Sequence, residues 1–296
     1  MVIKSLFSDL YEPGLRRVVF EGYTERGTEY DKFLNVVTTD QPVLYDYEMA
    51  GFGSVPTKAE GSPIIYDDPV PGRKISYTWT AKGKGFRITH EAMVDDRYGP
   101  MKKMASSLGR AFRNKVEIDG ASILNNAFGT AGGFDNEYLC DSGHPSLRGA
   151  ANISNVAATD LSVTALQDAL INFEKLYDHS GVPVMIRPAM LVVGPDNAPI
   201  AREILGSQFK PYTADNEINV LQEYGLTLFV SHYLTDADSW FVLANKADHD
   251  LQFFWREKFS LTSGDDFDTG DGKMKGYMRY GTGWGDWRGV WGSTGV

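Results

Sequence analysis

Cys140 and His144 lie four residues apart and could offer a thiolate and an imidazole to a metal. A zinc site needs three or four ligands, and His90, His179, His232 and His249 are scattered along the chain. Asp265, Asp266, Asp268 and Asp271, with Gly270 and Gly272, have the carboxylate density of a calcium loop. They do not follow the EF-hand order and no Glu stands at the twelfth position, so a solvated turn is the simpler reading. Together the two groups frame one alternative, a hydrolase or metal-dependent enzyme using the Cys140/His144 and Asp265–Asp271 region. They are far apart in sequence, and no metal or cofactor is expected. A third option is a carbohydrate-binding module presenting Trp284, Trp287 and Trp291, which burial of the three rings would remove.

The motifs that would carry catalysis are missing from the sequence. It has no G-x-S-x-G elbow, no G-x-x-x-x-G-K-[ST] loop and no H-E-x-x-H. His90-Glu91 begins like the last, but position 94 is Val94. Gly83-Lys84-Gly85 lacks the third glycine of a dinucleotide fingerprint and leads into a strand. Arg97, Lys102, Lys103, Arg110, Arg113 and Lys115 form a basic stripe whose ordinary reading is a solvated face paired with Asp95, Asp96, Glu117 and Asp119. A sharper reading makes it an inter-subunit or nucleic-acid-facing stripe.

The chain that must position these residues has 296 of them, enough for one large domain or two moderate ones. A formal charge of −10 disfavours non-specific attraction to nucleic acid or anionic membranes. Cys140 is the only cysteine, which excludes an intrachain disulfide and suits a reducing cytoplasm. No run of 18 apolar residues spans a membrane, and the N-terminus does not read as a signal peptide. With 31 Gly, 16 Phe, 15 Tyr and 6 Trp, the composition favours strands and aromatic packing over a helical bundle.

Residues 51–96 read as a long two-stranded arm with nothing of its own to pack against. An isolated hairpin is marginal in water, so such an arm needs a partner surface. Lys74–Thr80 alternates Ile75, Tyr77 and Trp79 against polar residues, a strong strand signal. Lys82-Gly83-Lys84-Gly85 is expected to interrupt it as a bulge or bend before extended structure resumes at Phe86. Arg73, Lys74, Tyr77, Trp79, Lys82 and Lys84 are the contact candidates, with Tyr77 and Trp79 expected on an exposed face.

Apolar residues at helical spacing from Met101 to Ala127 predict a helix over about 100–128, weakened at Gly109 and Gly120. A second helix is expected after a Thr164/Gln167 capping box, with Gly181 as its terminator. A short strand over Met190–Val193, a helix over Ala198–Leu205 and strands over Leu226–Ser231, Trp240–Ala244 and Leu251–Trp255 follow. Residues 1–45 read as a strap, with Leu15, Val18 and Val19 on a short helix and Phe33–Val37 on a short strand.

In this order the parts resemble a family, the tailed-bacteriophage major capsid proteins of the Hong Kong 97-type fold, closest to the Mu-type major head subunit. The stretches VPTKAEGSPIIYDDPVPGRKISYTWTAKGKGFRITHEAMVDD, RYGPMKKMASSLGRAFRNKVEIDGASIL, ALINFEKLYDHSGVPVMIRPAMLVVGP and FDTGDGKMKGYMRYGTGWGDWRGVWG carry the resemblance. It implies an α+β fold with an N-terminal arm (1–45) and an extended β-hairpin E-loop (46–89) lying across an adjacent subunit. A peripheral (P) domain (90–159 and 251–296) would hold the spine helix, and residues 160–250 would form an axial (A) domain around the capsomer axis. The implied function is a head subunit, not an enzyme, that self-assembles as hexamers and pentamers into an icosahedral shell around packaged double-stranded DNA. The implied partners are a separate scaffolding protein and protease, a portal and decoration proteins, with no membrane. Assembly would take place in the host bacterial cytoplasm. An acidic wall would enclose DNA without gripping it. Deleting Pro56–Lys84 is expected to leave a folded core that no longer assembles.

Overall fold

The computed structural model describes residues 12–68, 70–95, 98–148, 151–211, 217–266 and 268–296. The chain opens with α1 (Glu12–Thr24) and α2 (Tyr30–Phe33), then β1 (Asn35–Thr38) and the paired strands β2 (Val43–Ala50) and β3 (Val70–Thr78). After β4 (Thr80–Ile88) come α3 (His90–Val94) and the long helix α4 (Tyr98–Asn125). Two short strands, β5 (Ala131–Gly132) and β6 (Glu137–Tyr138), precede β7 (Val156–Ala157), α5 (Val163–Glu174), β8 (Pro188–Val193) and α6 (Ala198–Gly206). β9 (Thr227–Val230), β10 (Trp240–Ala244), β11 (Leu251–Asp265), β12 (Gly272–Trp284) and β13 (Val290–Ser293) complete it.

α4 forms where the apolar residues recur at helical spacing. Met101, Ala105, Leu108, Phe112, Val116 and Ile123 are buried, whereas Met104 stays exposed. The buried stripe lies against a four-stranded sheet ordered β1-β11-β12-β4. Gly276 on β12 leaves room for the rings of Phe112 and Phe259. The N-terminal strap finds its partner within the chain: α1 crosses α4 with Leu15 and Val19 fully buried, and β1 pairs in parallel with β11. Glu117 of α4 accepts hydrogen bonds from Glu29 N–H and Tyr30 N–H, fixing the start of α2.

A five-stranded sheet ordered β7-β13-β10-β8-β9 forms the second layer system. Every residue of β10 is buried, as befits a central strand flanked on both sides. α5 starts two residues before the expected cap: Ser162, not Thr164, accepts from Ala165 N–H. It ends at Glu174, because Leu176–Tyr177 turns to bridge Pro183 and Gly181 serves the Asp178–Gly181 turn instead. β7 and β13 join this sheet, so the expected division at 159/160 and 250/251 does not follow sheet membership. One hydrophobic core runs through both sheets, and Tyr77, Trp79 and Phe254 form a small separate one. Among the described residues no helix is long and apolar enough to cross a membrane.

Candidate docking surface on the arm

β3 and β4 are separated by one residue, Trp79, yet belong to different sheets. β3 pairs antiparallel with β2, and β4 pairs with β12. The arm is therefore the β2–β3 hairpin with residues 51–69 between its strands, and residues 80–88 belong to the body. The expected arm of residues 46–89 thus spans strands of two different sheets. Lys82-Gly83-Lys84-Gly85 makes no bulge; it runs in unbroken register opposite Met278, Tyr277, Gly276 and Lys275. The reason is nonlocal: a lysine- and glycine-rich segment reads as a bend until a partner strand supplies its hydrogen bonds.

The arm's two faces carry opposite chemistry. Its inner face holds Leu44, Ile75 and Tyr77, which pack with Trp79 on Phe254 of β11. The Phe254 centroid lies 4.8 Å from Tyr77 and 5.1 Å from Trp79. Gly281 and Gly283 on β12 make the seat: a Cβ at Gly283 would stand 2.7 Å from the Tyr77 ring, and one at Gly281 would stand 2.5 Å from Thr78 O. Trp79 Nε1 donates to Gln41 O at 2.8 Å. Tyr77 and Trp79 are 5% and 7% exposed, which corrects the expectation that these rings are free to meet a neighbour. The Tyr77 hydroxyl has no partner among the described residues, and burial pushes its pKa up.

Polar contacts fasten the arm further out. Glu48 Oε1 accepts from His179 Nε2 at 2.8 Å, while His179 Nδ1 accepts from Leu147 N–H. Asp67 accepts from Gly53 N–H and pairs with Arg148 at 3.2 Å, which together hold its carboxyl below the usual range. Gly51 O accepts from Ser180 Oγ at 3.5 Å.

The outer face carries what the sequence reading passed over. Tyr45, Tyr47 and Met49 alternate along β2 and point away from the body, Tyr47 being 61% and Met49 66% exposed. The acidic residues between them, Asp46 and Glu48, turn inward. A half-buried strand ordinarily puts its apolar set on the covered face; this one reverses the rule. Lys74 lies across the tyrosines, its Nζ 3.7 Å from the Tyr45 centroid and 5.6 Å from that of Tyr47. Beyond the strands Phe52, Val55, Ile64, Ile65 and Tyr66 are exposed, Tyr66 by 91%. So many exposed apolar side chains on one segment mark an interaction site.

Of the other candidates, Arg73 lies on β3 of the arm and Lys82 and Lys84 lie on β4 of the body. Arg73 is half-buried and its Nη1 has no partner among the described residues. Lys82 and Lys84 lie on the face of β4 toward α4, with Lys82 Nζ 3.9 Å from Asp119 Oδ2. In the basic stripe, Arg110 pairs with Glu25, Arg113 with Glu117 and Lys115 with Asp119, while Arg97 lies outside the described residues.

Nor do the groups read for chemistry form a catalytic arrangement. Cys140 is buried under Gly292, and burial pushes its thiol pKa up. His144 stacks on Trp287 and contacts Asp135 Oδ2 at 2.5 Å and Asn155 Oδ1 at 3.0 Å, so both ring nitrogens are engaged. Asp266 pairs with Lys273, and Asp271 Oδ1 accepts from His90 N–H at the start of α3. Among the described residues no group of three or more His, Cys, Asp or Glu could hold a metal ion. Trp284, Trp287 and Trp291 are buried, which removes the carbohydrate-binding option.

Beneath the arm's base is a cleft of roughly 600 Å³ lined by Asp46, Glu48, His179, His249 and Arg288. His249 Nδ1 accepts from Leu251 N–H at 3.3 Å. Burial, helped by the Lys246 charge, pulls the His249 pKa down to about 4. Since the folded chain binds this proton less tightly than the unfolded one, neutral His249 contributes its full stability above pH 6.5. That contribution, on the order of 3 kcal/mol, is lost as pH falls from 6.5 to about 4. Urea melts across this range should show a steeper acid loss for the native chain than for His249→Asn, whose Oδ1 can accept the same bond. Parallel curves would remove His249 as the cause.

Comparison with known proteins follows the same lines. A family model described as phage capsid protein matches residues 73–293. No curated protein matches the sequence. Among solved structures, a mature capsid subunit of bacteriophage PhiM1 aligns with TM-score 0.61 at 10% identity, covering 92% of this chain and 88% of its own. The capsid of cyanophage P-SCSP1u gives 0.60 at 12%, covering 92% and 89%. A virus-like particle from Pyrococcus furiosus gives 0.55 at 13%, covering 95% and 98%.

Proposed function

This chain belongs to the phage capsid protein family, and from that premise we propose that its arm is the device by which copies of the subunit lock together in the shell. The protein is a major capsid protein with the Hong Kong 97-type fold, a structural subunit rather than an enzyme. Its place is the virion shell, built by self-association into hexamers and pentamers.

The observation that carries the arm's role is the reversed face of β2, with Tyr45, Tyr47 and Met49 outward and Asp46 and Glu48 inward. An apolar face turned to water in the single chain is costly unless a second chain covers it. We assign residues 43–78 as the E-loop, α4 as the spine helix of the P domain, and the five-stranded sheet with α5 and α6 as the A domain. The residues before β2 are assigned as the N-terminal arm. Within the family we place the chain nearest the Mu-type head subunits, on the order of its arm, spine helix and C-terminal strands. A scaffolding protein, a protease, a portal and decoration proteins acting in trans complete the proposed partners. Assembly proceeds in the host cytoplasm around a space later filled with double-stranded DNA.

The structure refines the deletion that tests this. Removing Pro56–Lys84 would take out β3 and half of β4 and unfold the sheet. Replacing residues 54–66 with a short Gly-Ser link instead spares both strands and the Asp67–Arg148 pair. The expected product keeps the native circular dichroism spectrum and melting point but elutes as subunits or capsomers, while the native chain gives particles by negative-stain microscopy. Shells of normal diameter from the replaced chain would sink the arm's role.

A further inference from the structure

The cleft beneath the arm's base is walled by carboxylates from separate parts of the chain. Asp46 and Glu48 stand on β2, Asp178 in the turn after α5, Asp248 and Asp250 between β10 and β11, and Asp286 between β12 and β13. Among the described residues Arg288 is the only lysine or arginine that lines it, and Arg288 is committed to Asp286 at 3.1 Å. The two histidines of the wall add no charge. His179 accepts from Leu147 N–H at Nδ1, so its Nε2 carries the hydrogen given to Glu48. His249 is held neutral by burial. The crowding registers on Asp250, whose pKa is raised by burial and further by the Asp46 charge.

Glu48 points independently to a cation. Its side chain is 10% exposed; Oε1 takes the His179 hydrogen, and Oε2 has no partner among the described residues. An ionised oxygen buried without a donor is costly, and the cleft that Glu48 lines is where a donor can approach it. The shape of the cleft selects the kind of cation. Among the described residues no three of these groups converge closely enough to hold a metal ion, and roughly 600 Å³ is far more than one bare ion fills. The same walls include Phe134, Val184 and Ile186, apolar surface that suits methylene groups. Spread negative charge beside apolar wall fits a molecule whose own charges are spaced along a hydrocarbon chain.

We propose that this cleft binds a linear polyamine, its ammonium groups meeting Asp46 and Glu48 on the arm and the carboxylates of the body, its methylenes lying on the apolar wall. Bound there, the cation ties the base of the arm to the body from the side opposite Tyr45 and Tyr47. Such binding does not depend on the arm's role in assembly. A lysine side chain of another copy carries the same ammonium group, but a single charge cannot answer carboxylates held on separate elements.

Calorimetry on the full-length chain at physiological salt tests the site, with spermidine as the probe and butylamine as the single-charge control. Spermidine should bind saturably, one per chain, and butylamine at least about tenfold more weakly. Asp46→Asn with Glu48→Gln keeps acceptors for Tyr47 N–H and His179 and should weaken spermidine at least about tenfold. Glu223→Gln with Asp168→Asn removes the same charge from exposed positions outside the cleft and should bind as the native chain does. Spermidine should also slow proteolysis within residues 51–62 of the native chain and not of the cleft variant. If circular dichroism shows the cleft pair misfolded, Asp46→Asn alone carries the comparison, with a loss of about threefold expected. Absence of saturable binding would overturn the site. Equal weakening in both double variants would reduce it to diffuse attraction by an acidic chain, and butylamine binding as tightly as spermidine would reassign it to a single ammonium group such as a neighbour's lysine. Either result overturns the polyamine site.

Discussion

Phe254→Ala is expected to release the arm while leaving the body folded. Phe254 is fully buried, and its packing is confined to the small cluster with Tyr77 and Trp79. Truncating a buried phenylalanine costs about 3–5 kcal/mol. Here that loss falls on the joint between arm and sheet, because Phe253 and Trp255 on either side face the main core. Limited proteolysis should cut the variant within residues 51–62 much faster than the native chain, and shells should fail to form. Tyr77→Phe is the control. It keeps the ring on Phe254 and removes a buried hydroxyl that has no partner among the described residues, so it should be neutral or stabilise by about 1–3 kcal/mol. Equal cleavage of the native chain and Phe254→Ala would show that the polar contacts at Glu48 and Asp67 hold the arm unaided.

The contrast between Phe254 and its neighbours also shows which parts of the fold the sequence discloses. α4, α5 and β10 are legible because their period is local: the residues that define the buried stripe of α4 lie within one segment. The strand at Lys74–Thr78 is legible for the same reason, but its partner is not. Nothing within KISYTWT says that it pairs with Val43–Thr78's other strand, β2, rather than with the segment that follows Trp79. The arm's seat is less visible still. Gly281 and Gly283 matter because Tyr77 and Thr78, some 200 residues earlier in the chain, lie against them. The outward face of β2 did leave a signal in VLYDYEMA, where Tyr45, Tyr47 and Met49 alternate with acids. Standard patterning assigns such a phase to a covered aromatic face and solvated carboxylates. Glu48 turns inward instead to meet His179, which comes from another part of the chain.

Gly109→Ala sets two effects of opposite sign against each other. Glycine inside a helix is weaker than alanine by about 1 kcal/mol, so propensity alone predicts that the substitution stabilises α4. The crossing with α1 predicts the reverse: a Cβ at Gly109 would stand 2.1 Å from Val19 O and 2.8 Å from Tyr23 N. Both contacts are backbone, so no rotamer change relieves them. Gly22, on the other side of the crossing, has its own Cβ position 2.5 Å from Ser106 O, so the helices cannot slide apart cheaply. α1 must lift, uncovering Leu15 and Val19, each fully buried in the native chain. Exposing two such side chains costs about 3–6 kcal/mol, which outweighs the gain in propensity. The urea midpoint should therefore fall, with Lys103→Ala, exposed on the same helix, staying near native. A midpoint raised by Gly109→Ala would mean that α1 does not hold its place on α4 in solution. If it falls as expected, the N-terminal strap is part of the folded subunit before assembly, and the arm of residues 43–78 is left as the segment with an apolar face still to cover.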